Sequence, residues 1–240
     1  MVWSCLVSIL PGMAQTEKLT DYVNPFVGTD GYGNVYPGAQ IPFGGIQISP
    51  DTDSRFYDAA SGYKYNHLTL MGFSLTHLSG TGIPDLGDFL FIPGTGEMKL
   101  EPGTHEDPDQ GYRSRYSHDK EWASPNYYAV ELADYGVKAE MTSGVRSGMF
   151  RFTYPESDNA FIMIDMNHTL WQSCEWSNLR MINDSTITGY KLVKGWGPER
   201  HVYFTATFSK KLTGLRFVQD KKPVIYNTSR FRSSYEAWGK

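Results

Sequence analysis

The sequence predicts an all-β fold, two antiparallel sheets packed face to face as a β-sandwich with few short helices. Three observations carry this expectation. From residue 127 onward, apolar and polar residues alternate in short runs separated by turn residues. The earlier part is broken by Gly28, Gly31, Gly33, Gly38, Pro37 and Pro42 before a long helix could form. No stretch keeps a helical period beyond two turns. Strands with one apolar face each must bury that face against a second sheet. At 240 residues the chain is at the upper end for one such domain.

Residues 1–15 (MVWSCLVSILPGMAQ) resemble the tail of an export signal: an apolar run, then the small residues Gly12 and Ala14, without a basic leading segment. The run is too short to span a bilayer. Cys5 would leave with it. Cys174 then stands alone, and two cysteines cannot form a tetrahedral metal site by themselves. An exported protein without disulfides suits a bacterial periplasm or cell surface. The domain proper is expected over residues 16–240.

Residues 24–52 (NPFVGTDGYGNVYPGAQIPFGGIQISPDT) contain a glycine-rich GTDGYG. No lysine follows as in a phosphate loop, and no amphipathic helix follows as in a dinucleotide turn, so a nucleotide site is excluded. The acidic segment at 30–34 lacks the closing Glu of an EF-hand. Residues 45–49 read as a short strand. Residues 55–66 (RFYDAASGYKYN) set aromatic rings beside Asp58. Tyr63 and Tyr65 alternate as one strand face and read as core. Tyr57 and Asp58 are left as a ring-plus-carboxylate pair suited to a sugar.

Residues 72–88 (GFSLTHLSGTGIPDLGD) gather His77, Asp85, Asp88 and several hydroxyls among glycines, then run into an apolar strand at 89–92. A polar, glycine-punctuated loop on a β scaffold is a place to present a site. The same residues equally suit a tight loop whose His77 and Asp side chains cap backbone groups. Residues 101–121 carry His105, His118 and six acids at irregular spacing and read as a solvated connection.

Residues 127–132 and 137–142 read as a hairpin around the turn at 134–136, and 144–153 adds a strand with Phe150 and Phe152 on one face. The run AFIMIDM (160–166) suits a strand buried on both sides. Strands follow at 186–193, 201–208, 215–218 and 223–226.

Chemistry is less legible. The formal charge of −4 excludes a nucleic-acid or anionic-membrane surface. Aromatic residues reach 15%, with 16 tyrosines, which is compatible with sugar binding. Glycoside hydrolysis needs two facing carboxylates; Asp58, Asp85, Asp88, Glu140 and Asp165 are candidates, and nothing selects two. Ser74, His77 and Asp85 could form a triad, but no nucleophile elbow is present.

Three segments add what spacing cannot. Residues 24–52, residues 61–96 (SGYKYNHLTLMGFSLTHLSGTGIPDLGDFLFIPGTG) and residues 125–155 (PNYYAVELADYGVKAEMTSGVRSGMFRFTYP) closely resemble the N-terminal domain of glycoside hydrolase family 92. The resemblance implies a supersandwich of the galactose-mutarotase type. It implies half of an exported, calcium-dependent, inverting exo-α-mannosidase that trims N-glycans or mannans in glycoprotein and carbohydrate catabolism. In that family the acid, base and calcium ligands lie on a C-terminal (α/α)6 barrel. The resemblance therefore implies a fragment that is inactive alone, with no catalytic residue and no calcium of its own, and whose partners are a mannose-containing glycan and the missing barrel. The sandwich lends loops to the sugar pocket, notably a Trp-Asp pair that reads Tyr57-Asp58 here, a smaller ring. Substrate contacts are accordingly expected from Tyr57, Asp58, His77, Asp85 and Asp88. Ala60 stands where Cys is common, Tyr32 where His is usual, and Phe150 where relatives often carry His. A stand-alone carbohydrate-binding sandwich is the alternative.

Overall fold

The structure, a computed structural model, describes residues 17–54 and 57–219 and the backbone of the strands at 222–224, 230–233 and 237–239. The export-signal segment at 1–15 and the side chain of Asp58 lie outside the described residues. The strands in chain order are β1 (Ser49–Asp51), β2 (Thr69–Leu70), β3 (Gly72–Ser74), β4 (Leu90–Thr95), β5 (Ser114–Arg115) and β6 (Glu121–Ser124). There follow β7 (Tyr127–Leu132), β8 (Val137–Ser143), β9 (Gly148–Thr153), β10 (Ala160–Asp165), β11 (Ser173–Asn183) and β12 (Thr186–Lys194). The last are β13 (Arg200–Thr207), β14 (Leu215–Gln219), β15 (Lys222–Val224), β16 (Arg230–Ser233) and β17 (Ala237–Gly239). Helical structure among the described residues is limited to short 3-10 turns, including Tyr57–Ala59. The expected all-β sandwich is what the chain forms.

All strand pairs are antiparallel, and they distribute over several sheets. A seven-stranded sheet runs β1-β3-β4-β10-β17-β14-β15. One of its faces meets the sheet β13-β12-β11-β16, and its β1–β3 edge meets the meander β6-β7-β8-β9; β2 and β5 form a small pair. Period-two alternation explains the layering. On β4 and β10, Phe91 and Ile164 face β11–β13, where they pack with Leu179, Ile187 and Phe204. Leu90, Ile92, Phe161 and Met163 face the opposite way into a separate cluster with Met71 and Tyr112. The run at 160–166 is therefore buried on both sides, as its composition requires. Phe150 links the layers, its ring 5.2 Å from Phe91 and 5.3 Å from Phe152.

Several local expectations change. Residues 72–74 form a strand and not a loop. A Cβ at Gly72 would lie 2.7 Å from Ile92 Cγ1 and 2.8 Å from the Phe91 carbonyl, so glycine is what lets β3 lie against β4. Tyr63 is core, but Tyr65 is exposed and stacks on His118 with centroids 3.9 Å apart. Residues 101–121 are only partly a solvated connection. Tyr112, Arg113, Ser114 and Glu121 are buried, and Glu121 accepts from the Tyr63 hydroxyl at 2.9 Å and the Tyr128 hydroxyl at 2.5 Å. The longest strand, β11, is absent from the periodicity because bulges at Cys174/Trp176 and Met181/Asn183 shift its register.

Candidate functional site

The loops after β3, after β10 and between β12 and β13 meet at one end of the sandwich, with the Tyr57–Ala59 turn beside them. Two buried ionic clusters fix them there. The first centres on Asp51, at the end of β1. Its Oδ1 accepts from His77 Nε2 and its Oδ2 from His168 Nε2, both at 2.7 Å. His77 Nδ1 lies 2.7 Å from the Gln47 carbonyl. The His77 ring thus bridges the Gln47 carbonyl and the Asp51 carboxylate, one acceptor at each nitrogen. Burial by itself would raise the Asp51 pKa, but the charge on His77 and the hydrogen bonds from both histidines outweigh it and hold the carboxyl well below the usual range. A Cβ at Gly62 would meet Asp51 Oδ1 at 2.2 Å, and Gly62 has φ +86, so this glycine is required for the carboxylate to sit where it does.

The second cluster centres on Asp88, which precedes Phe89 and β4. Lys191 Nζ, on the inner face of β12, is 3.0 Å from Asp88 Oδ1, and both side chains are wholly buried. The ammonium donates to the His168 carbonyl at 2.6 Å and lies 5.1 Å above the Phe89 ring. Arg200, at the start of β13, pairs with Asp88 Oδ2, and the Thr76 hydroxyl donates to the same oxygen at 2.6 Å. Burial again opposes ionisation, and the two cations overcome it, leaving Asp88 at about 2.

Above these clusters the loops form a rim. Asp85 accepts from its neighbour's amide, Leu86 N, at 2.6 Å and from Trp196 N at 3.2 Å, tying the 83–87 loop to the 195–199 loop. Arg200 Nη2 is 3.9 Å from Asp85 Oδ1. The Gln172 amide donates to the carbonyls of Pro84 (3.1 Å) and Leu170 (2.6 Å), and Leu170 N donates to the Leu86 carbonyl at 2.9 Å. Three large aromatic side chains stand on this rim in solvent: Tyr57 at 57%, Trp171 at 60% and Trp196 at 61% exposure. The Tyr57 and Trp171 rings are 6.3 Å apart and inclined at 44°.

The expected site residues thus divide. Tyr57 and Asp85 belong to the rim. His77 and Asp88 lie beneath it, buried, with their polar atoms engaged in holding loops. Ser74 and His77 do meet, with Oγ 3.0 Å from Nε2, but Ser74 is buried and the carboxylate on the ring is Asp51, not Asp85. Of the other carboxylates weighed as catalytic, Glu140 pairs with Arg151 at 2.6 Å on the outer face of the meander. Asp165 accepts the amides of Asn167 (2.8 Å) and His168 (3.0 Å). Among the described residues no group of three or more His, Cys, Asp or Glu side chains is arranged to hold a metal ion, and no helix is long and apolar enough to cross a membrane. Sequence reasoning missed Trp171, Trp196 and Arg200. The signal available was a tryptophan set between glycines (Gly195, Trp196, Gly197) and another in the polar stretch after a strand buried on both faces.

Comparison with known proteins bears on this end of the fold. A family model described as the glycosyl hydrolase family 92 N-terminal domain matches residues 22–239. An uncharacterized secreted glycosidase of Arthroderma benhamiae is 30% identical over 139 residues, which is 57% of this chain and 17% of that protein. The solved structure of a family 92 glycosyl hydrolase superposes with a TM-score of 0.74 at 27% identity, covering 92% of this chain and 30% of the other. A family 92 inverting mannosidase from Bacteroides thetaiotaomicron shares the fold at the same TM-score of 0.74 and 24% identity, with 93% and 30% covered. The chain therefore spans under a third of the length of each of these relatives.

Proposed function

The chain belongs to the glycosyl hydrolase family 92 N-terminal domain family, and on that premise we propose that its loop rim forms one wall of the sugar pocket of an exported α-mannosidase acting on N-glycans or mannans. The observation that carries this reading is the convergence of exposed rings from separate loops over Asp85 and Arg200. Pyranose rings present apolar C–H faces that stack on aromatic faces and hydroxyls that pair with charged groups. Tyr57 is the wall for the terminal mannose, with Asp58 next to it in sequence. His77 and Asp88 act one step removed, by holding the loops that carry Tyr57's neighbours and Asp85.

Bond cleavage is assigned to the portion of such enzymes outside this chain, and calcium with it. The carboxylates of Asp51, Asp85, Asp88, Glu140 and Asp165 are each engaged by cations or backbone amides, which suits a positioning domain better than an acid–base pair or a metal cage. An exported setting accords with residues 1–15 and with the secreted relative.

The test is kinetic. In an enzyme that carries this domain together with its catalytic portion, Tyr57→Ala should lower kcat/KM for an aryl α-mannoside about tenfold, the loss of roughly 1–2 kcal/mol of stacking. The 240-residue chain by itself should release no mannose with or without calcium. Unchanged kinetics in the variant would remove Tyr57 from the pocket.

A further inference from the structure

We propose that Trp171 is a second sugar platform, which takes the pyranose next to the terminal mannose and makes this domain favour oligosaccharides over monosaccharides. The inference rests on the mannoside reading above and extends it to a residue and a subsite.

The first ground is backbone strain. Trp171 has φ +76, the left-handed region, which L side chains with bulky rings rarely adopt. Such a conformation persists only where its surroundings over-determine it. Here they do: Leu170 N is held by the Leu86 carbonyl, the Thr169 hydroxyl donates to the Gln172 carbonyl at 2.7 Å, and the Gln172 amide clamps Pro84 and Leu170.

The second ground is that the strain has no return in packing. The indole is 60% exposed and lies outside the apolar clusters that hold the sandwich together. A glycine would satisfy that backbone without cost to any core contact.

The third ground is placement. Trp171 is 6.3 Å from Tyr57 with the rings inclined at 44°, not stacked, and both side chains stay more than half exposed. Trp196 rises from the adjoining loop, its amide fixed on Asp85. Arg200, part-exposed in the same rim, pairs with Asp88 and approaches Asp85, which fixes the charged floor beneath the rings. Side chains presented on preset backbone bind with little loss of conformational freedom. The occupant that fits two ring platforms beside each other, with a cation at their foot, is a chain of neutral pyranoses.

The experiment compares two probes on the 240-residue chain: methyl α-D-mannopyranoside and an α-linked mannotriose, titrated by NMR chemical-shift perturbation. The chain should bind the trisaccharide at least fivefold more tightly. Trp171→Ala should erase that ratio. Trp171→Phe should restore part of the ratio, and Trp122→Ala, on the distant meander, should not alter it. Trp171→Gly should erase the ratio while melting no lower than the parent. An unchanged ratio in Trp171→Ala overturns the proposal and leaves the mannoside reading standing. A melting point several degrees lower in Trp171→Gly overturns it too, by making the indole a packing element. A parent chain that binds neither sugar overturns this proposal, whereas the mannoside reading, which makes this rim one wall of a larger pocket, stands or falls on the kinetics of Tyr57→Ala.

Discussion

Replacing Asp88 with asparagine should expose how much of the rim depends on charge buried beneath it. The substitution keeps shape and leaves an oxygen for the Thr76 hydroxyl, but removes the counter-charge of Lys191 and Arg200. Arg200 retains access to water at 28% side-chain exposure, whereas Lys191 has none. Removing one partner of a fully buried pair costs about 3–5 kcal/mol. The His168 carbonyl at 2.6 Å and the Phe89 ring at 5.1 Å still face the ammonium, so the lower figure, about 3 kcal/mol, is expected. For a chain of this size that corresponds to a fall in Tm of roughly 6–12 °C. Differential scanning calorimetry at pH 7 reads it directly. Lys191→Met in the Asp88→Asn background should recover at least half of the loss, because it removes the stranded charge and returns an apolar side chain of similar length. A single variant within about 1 kcal/mol of the parent would refute the reasoning. So would a double variant no better than the single.

Acid should act on the same cluster. Asp88 titrates at about 2 in the fold against about 3.9 unfolded. Its contribution of roughly 2–3 kcal/mol is therefore fully present above about pH 5 and is lost as pH falls from there through 2, and Asp88→Asn should flatten the stability profile across that window. His67 is held neutral, down to about 4, by burial and by the neighbouring His105. It leaves stability untouched above pH 6.5 and withdraws it as pH falls toward 4; urea titrations of His67→Gln should show a shallower slope there, and an unaltered slope would remove His67 as the cause. Gly62→Ala should cost more than 2 kcal/mol, since its Cβ meets the Asp51 carboxylate at a backbone with φ +86; a melting point equal to the parent's would mean that Asp51 can move without loosening His77 and His168.

The fold was legible where one physical rule dominates. Alternation at 127–132, 137–142, 186–193 and 201–208 specified strands because a pleated backbone sends successive side chains to opposite faces. The apolar run at 160–166 specified a two-sided strand because no polar face was available to meet water. Where the rule is broken by a bulge, as in β11, or hidden by a glycine whose value lies in another strand's position, as at Gly72, the sequence was silent.

The site was legible only in composition. Residues 72–88 announced a polar loop, but whether His77 and Asp88 would meet a sugar or hold the loop in place turned on partners far along the chain. Asp51 is 26 residues from His77, and His168 is 117 residues from Asp51. Lys191 reaches Asp88 because β12 places it on an inward position of a sheet packed over β4. Nor does any local pattern say that a tryptophan will stand in solvent at a left-handed backbone. Sequence by itself determined the residue types, the strand period and the family. Tertiary structure decided which charges lost their water and which rings kept it, because desolvation is set by register and packing between strands that local sequence does not see.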